Sequence, residues 1–215
     1  MILATIPRLC VIPNSGPFDQ RFFLCHHFRK VFDELGVPLM AIVNNNGIDA
    51  ACDACDALIL PGSATNIHPS YYGREVEEGD PYPFDEYKDD KAIIDRFVRQ
   101  NKPIFGICGG LQTLNVYFGG TLKKVPGHTG GDAPQNITVT EGSFLHRAHG
   151  ATSMNINSYH FWGIDDVAPG VKVTGVSDDG VIEAIEKDNI VAFQWHPEIM
   201  HDVTLFRAFL DEYVR

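Results

Sequence analysis

Short apolar runs alternate along the chain with segments of helical period, which is the pattern of a sheet covered by helices. Ile2–Ile6 reads as an opening strand. From Asp19 to Leu35, the residues Leu24, Phe28, Val31, Phe32 and Leu35 recur at helical spacing, and Gly36 closes the segment. Val37–Val43 predicts a second strand and Ile48–Cys55 a short helix. Ala57–Pro61 predicts a buried strand that runs into a glycine turn. The stretch 63–87 is rich in Pro, Gly, Tyr and acid and predicts a long loop. Beyond it come a helix over 89–100, a strand over 103–107 and a helix over 109–118. The C-terminal half offers strands at 135–139, 153–157, 171–176, 181–185 and 190–193, then a helix over 203–213. No repeat or linker divides the chain, so one domain over 1–215 is expected.

The sharpest chemical signal lies where a strand meets a helix, at Ile104-Phe-Gly-Ile-Cys108-Gly-Gly-Leu-Gln112. A residue at such a corner is held in a strained conformation with its side chain presented, so its neighbours must be small. Gly106 and Gly110 frame Cys108 in that way. The sulfur then sits at the positive end of the following helix, where negative charge is favoured. The N–H of Gly109 is free to face an oxyanion. A second signal is Gln194-Trp-His196-Pro-Glu198, in which a strand delivers a histidine and a carboxylate follows two residues on, on the same side of an extended segment. Coupled to the corner cysteine, the pair predicts a triad of Cys108, His196 and Glu198.

These motifs, together with Leu58-Ile-Leu-Pro-Gly-Ser-Ala-Thr-Asn-Ile-His-Pro-Ser-Tyr-Tyr-Gly73, Asn157-Ser-Tyr-His160 and Asp179-Gly-Val-Ile-Glu-Ala-Ile-Glu186, resemble the class I glutamine amidotransferase-like superfamily. Within it, the chain is most similar to the free-standing γ-glutamyl hydrolases of the peptidase C26 type, like γ-glutamyl-γ-aminobutyrate hydrolase. The resemblance implies a three-layer α/β/α, flavodoxin-like fold with a largely parallel sheet and flanking helices. It implies hydrolysis of the γ-glutamyl amide bond of small amines through a thioester on Cys108. The second oxyanion donor would come from the backbone of Gly62 or Ser63, beside that of Gly109. Gln112, Ser158, Tyr159 and His160 would line the substrate pocket, and the protein would form a homodimer. Two departures bear on specificity. Gly109 stands where many relatives carry arginine, and Phe161-Trp162 stands where relatives often have histidine and glutamine. Both remove polarity and make an apolar or aromatic leaving amine conceivable.

Other readings narrow the field. With 28 acidic and 17 basic residues the formal charge is −11, which weighs against nucleic acid or an anionic membrane as partner. Five cysteines, an odd number, and the lack of a leader-like N-terminus point to a reducing cytoplasm. Cys52 and Cys55 form a C-x-x-C that precedes a strand, so they read as small apolar residues. His128, His146 and His149 read as loop or core histidines and not as metal ligands, and His26-His27 falls within a helix. The acidic run 75–90 reads as a solvated loop. Neither metal nor organic cofactor is expected. Two rival functions remain on the same fold: a glutaminase subunit supplying ammonia to a partner synthetase, and a non-catalytic binding or thiol-sensing protein.

Overall fold

The computed structural model describes residues 1–11, 20–76, 82 and 85–215. In chain order the first elements are β1 (Leu3–Thr5), β2 (Arg8–Val11), β3 (Gln20–Phe23), α1 (His26–Leu35), β4 (Leu39–Ala41), α2 (Ile48–Ala54), β5 (Ala57–Leu60), α3 (Glu86–Arg99), β6 (Ile104–Ile107) and α4 (Gly109–Tyr117). There follow β7 (Leu122–Lys124), β8 (Gly131–Val139), α5 (Phe144–His149), β9 (Ser153–Ser158), β10 (Trp162–Ile164), β11 (Lys172–Ser177), β12 (Ile182–Lys187), β13 (Ile190–Phe193) and α6 (Val203–Phe209).

Nine strands form one sheet in the order β4-β1-β5-β6-β13-β12-β11-β8-β9. The five from β4 to β13 are mutually parallel, and the remaining four continue the sheet antiparallel. Within the parallel block β1, β5, β6 and β13 are buried on both faces while β4 forms the exposed edge, and the buried residues alternate between two cores with the period of the pleat. Phe105, Ile107, Ile59, Val191 and Phe193 face the layer of α1, α5 and α6. Ile104, Leu58, Leu60, Ile190 and Ala192 face the layer of α2, α3 and α4. On the first face Phe105 packs against Phe193, Phe206 and Phe209, with ring centroids 5.1, 4.7 and 5.3 Å away. Each such ring taken out of water contributes about 1.5–3 kcal/mol. The expected α/β/α sandwich is therefore the fold observed.

The differences are local. The helix expected from Asp19 begins at His26, because Gln20–Phe23 instead pairs antiparallel with Arg8–Val11, a partner that local spacing does not reveal. Asp19 lies outside the described residues. Helix α3 starts at Glu86, earlier than expected, where the Asp85 carboxylate accepts from the Lys88 N–H. Helix α5 and the antiparallel pair β7–β10 have no counterpart in the sequence reading. Among the described residues no helix is long and apolar enough to cross a membrane.

Candidate active site

Three parallel neighbours, β5, β6 and β13, end at the same edge of the sheet, and the chain leaving each one carries part of the site. Beyond β5 lies Pro61-Gly62-Ser63, beyond β6 lies Cys108, and beyond β13 lie His196 and Glu198.

Cys108 adopts φ 50°, ψ −106°, a conformation L-residues avoid. It is held there because its N–H donates to the Phe193 carbonyl at 2.7 Å while its own carbonyl accepts from Gln112 N at 3.2 Å, opening α4. The glycine at position 110 is a spatial necessity, since a Cβ there would lie 2.2 Å from the Leu60 carbonyl oxygen. The sulfur is less presented than expected. Cys108 is only 5% exposed and forms part of the wall of a cavity of about 310 Å³, in which Gly62, Ser63, Tyr159, His196 and Glu198 also take part.

The backbone of His196 is clamped by Asn157 of β9, which accepts from His196 N at 2.9 Å and donates to its carbonyl at 3.0 Å. Nδ1 of the ring lies 2.7 Å from Glu198 Oε1, and that carboxylate is 2% exposed. Burial by itself would pull the imidazole pKa down. The charge and hydrogen bond of Cys108, and then those of Glu198, outweigh it and hold the ring well above its usual range. Gly62 is fitted against both partners, because a Cβ there would lie 2.8 Å from His196 Cε1 and 3.3 Å from Cys108 Cβ. Gly109 abuts the Ser63 backbone, its own would-be Cβ lying 2.8 Å from Ser63 N. The backbone of Gly109 thus lies against Ser63, and that of Gly62 against Cys108 and His196.

Of the residues expected to line the pocket, Tyr159 does so, with its ring edge-on to His196 at 5.8 Å. The Ser158 hydroxyl turns inward and donates to the His128 carbonyl at 2.9 Å. The His160 ring also turns inward, with Nδ1 3.0 Å from the Trp162 carbonyl. Alternation along β9 and its continuation accounts for this, since neighbours point to opposite sides. Gln112 is buried, with its amide nitrogen 2.7 Å from the Trp162 carbonyl and 3.3 Å from Gln194 Oε1.

Several residues that support the site escaped the sequence reading. Gln194 Nε2 donates to Cys108 Sγ at 3.6 Å. Arg8 is 2% exposed; its Nε and Nη2 donate to the Pro61 carbonyl at 3.2 and 2.7 Å, and its Nη1 grips both oxygens of Asp90 at 2.6 and 2.8 Å. Glu86 accepts from the Ser63 hydroxyl, from Thr65 Oγ1 at 2.6 Å and from Leu9 N at 2.7 Å. The expectation of a solvated loop over 75–90 is corrected at these two acids, which brace the turn after β5 from the start of α3. Only the bare acidity of the run hinted at them. A larger cavity, about 570 Å³ and lined by Ile42, Ile48, Ile93 and Asp89 among others, has neither a cysteine nor a histidine among its described lining residues. Cys52 and Cys55 are buried free thiols whose pKa values burial pushes up, consistent with the apolar reading. His149 pairs with Asp202 at 2.9 Å.

The fold and this convergence at the sheet edge define a protein of glutamine amidotransferase-like architecture. Solved structures agree: a glutamine amidotransferase from Thermotoga maritima superposes with a TM-score of 0.65 at 16% identity, over 98% of this chain and 83% of that one. A glutamine amido transferase from Methylobacillus flagellatus gives 0.61 at 17% identity, over 98% and 74%. The Peptidase C26 family model matches residues 17–198, and the chain belongs to that family. Among curated relatives, γ-glutamyl-γ-aminobutyrate hydrolase PuuD of Escherichia coli is 31% identical over 76% of this chain and 73% of its own. Protein NtpR of Enterococcus hirae is 31% identical over 83% and 84%. Family membership makes the protein a hydrolase of the glutamine amidotransferase type.

Proposed function

We propose that the protein hydrolyses γ-glutamyl amides of small amines, with Cys108 as nucleophile, His196 as acid and base, and Glu198 orienting and charging the imidazole. The observation that carries this reading is the meeting of a strained, helix-terminal cysteine with a half-buried His196 held by the buried Glu198 at one cavity. In the first half-reaction the Cys108 sulfur attacks the γ-carbonyl carbon, and the oxyanion is received by the N–H groups of Gly109 and Gly62 or Ser63. Removing one such donor typically costs about 2.7–4 kcal/mol of barrier. The C–N bond then breaks as the His196 imidazolium gives its proton to the departing amine. In the second half, neutral His196 takes a proton from water, the hydroxide adds to the thioester, and the C–S bond breaks to release glutamate and restore the thiolate–imidazolium pair. No metal or organic cofactor takes part in these steps. The Escherichia coli relative's name supports the γ-glutamyl half of the substrate.

Phe23, Leu24, Phe28, Ile199 and Tyr159 line the cavity that holds Cys108 and His196, and we assign the leaving amine to that apolar wall. That surface suits an apolar or aromatic amine and offers little to ammonia. A panel of γ-glutamyl amides of aromatic amines, diamines, γ-aminobutyrate, glutamate and ammonia tests the reading through kcat/KM, which measures discrimination in the transition state. The expected order places aromatic and apolar amines first, and replacement of Cys108 by Ala removes all turnover with the melting temperature little changed. Free glutamine as best substrate, with a further rise on adding a synthetase, would instead indicate an ammonia-supplying subunit.

A further inference from the structure

Away from the sulfur, three buried side chains from distant parts of the chain bring acceptor atoms together: His128 after β7, His160 between β9 and β10, and Glu183 on β12, which are 1%, 3% and 0% exposed. The outer nitrogen of each ring faces a group that can only accept. His160 Nδ1 lies 3.0 Å from the Trp162 carbonyl and His128 Nε2 lies 2.9 Å from Asp179 Oδ2, so these nitrogens carry the protons. The inner nitrogens, His160 Nε2 and His128 Nδ1, are then lone pairs. They sit 3.2 Å apart, and Glu183 Oε1 lies 3.6 and 3.4 Å from them respectively. Among the described residues neither oxygen of Glu183 receives a hydrogen bond. The Gln135 amide nitrogen is 3.3 Å from both nitrogens of the His128 ring, and an atom equidistant from the two lies on the lone-pair axis of neither.

Converging lone pairs whose one donor within reach is the off-axis Gln135 amide are costly in a buried site and call for a positive centre. One extra proton could bridge only one of the three contacts. A metal ion serves all three, and the spacing fits one: a tetrahedron with bonds of about 2.0–2.1 Å has edges of about 3.3–3.4 Å. The buried Gln135 Oε1 also lacks a partner, and exchanging the two ends of that amide would bring an oxygen to the same place. We propose that His128 Nδ1, His160 Nε2 and Glu183 bind a divalent cation of the zinc class, with the Gln135 amide oxygen closing the fourth position. Two imidazoles, a carboxylate and an amide suit that borderline ion, and the Asp179–His128 and Trp162–His160 contacts are the outer hydrogen bonds that orient metal-bound histidines.

With four protein ligands the site is structural. It pins the inner side of the segment whose outer side presents Tyr159 to His196. It also reaches the nucleophile through a line of hydrogen bonds: the Trp162 carbonyl receives both His160 Nδ1 and Gln112, Gln112 donates to Gln194, and Gln194 donates to Cys108.

The test uses full-length Cys108→Ala protein, so that the active-site thiol contributes no ligand, and does not depend on turnover. The protein is stripped with chelator and titrated with zinc alone and with cobalt(II) alone. Expected are one tightly held metal per chain by elemental analysis, a tetrahedral cobalt absorption spectrum, and a melting temperature that rises with zinc as a ligand of the folded state requires. Adding Glu183→Gln or His160→Ala removes the bound equivalent, and Asp179→Asn, a change at a half-exposed side chain, weakens affinity about 10–100-fold. Absence of metal binding by folded Cys108→Ala protein, or binding that Glu183→Gln, His160→Ala and Asp179→Asn all leave unchanged, overturns the proposal.

Discussion

At the level of single residues, the site depends on placing a strained sulfur against an imidazole whose charge is supported from behind. The strain at Cys108 costs about 1–3 kcal/mol, offset by the parallel strand before it and the helix after it. Glu198 adds its charge and hydrogen bond to the support that Cys108 gives the protonated His196 ring. In Glu198→Gln the imidazolium loses its anion, so its pKa falls and the acid that protonates the leaving amine is lost at lower pH. We expect kcat to fall about 10²–10⁴-fold, and the alkaline limb of the pH–rate profile to move toward acid. An unmoved limb would show that Glu198 does not set the charge of the ring. Gly62 tests placement alone. A methyl at this position has to displace His196 or the turn that carries Gly62, and a misplacement of about 1 Å can cost about 10²-fold in rate. Gly62→Ala is therefore expected to lower kcat by about that factor while unfolding close to the wild-type temperature; wild-type kcat would contradict the tight fit.

At the level of elements, the buried Arg8–Asp90 pair couples β2 and α3 to the turn after β5, because the same guanidinium also holds the Pro61 carbonyl. Arg8→Met leaves the Asp90 carboxylate buried and unpaired, and breaking such a pair costs about 3–5 kcal/mol. Urea unfolding should show that loss. The double variant Arg8→Met/Asp90→Leu should recover most of the stability yet keep a lowered kcat, because the carbonyl behind the oxyanion turn still lacks its donor. Full recovery of kcat would mean that the pair matters for folding alone. This brace also marks where the sequence stops being informative. The corner at Cys108 and the His196–Glu198 pair were legible because strand, glycine and helix signals coincide within a few residues. Arg8, Asp90 and Glu86 meet from segments about 80 residues apart, and no local pattern announces a contact of that kind. His128 read as a loop or core histidine and is buried; that His160 and Glu183 lie beside it was not legible, for the same reason, because they arrive from distant segments. The pairing of β2 with β3 likewise overrode a helical spacing that Leu24 and Phe28 made persuasive.

At the level of the molecule, one geometric fact organises the rest. β5, β6 and β13 run parallel as neighbours, so their ends deliver turn, thiol and imidazole to one edge of the sheet. The three-layer architecture was legible because buried parallel strands read as short apolar runs between helical segments. The four antiparallel strands were legible only as strands, since their order in the sheet depends on long-range pairing. In the proposed reaction Cys108 carries the acyl group. The most direct test is intact-protein and peptide mass spectrometry of enzyme quenched in acid while it turns over a γ-glutamyl anilide. A γ-glutamyl adduct is expected on the peptide containing Cys108, labile to hydroxylamine and absent from Cys108→Ala. Steady turnover by Cys108→Ala, or an adduct on another residue, would contradict the proposed reaction.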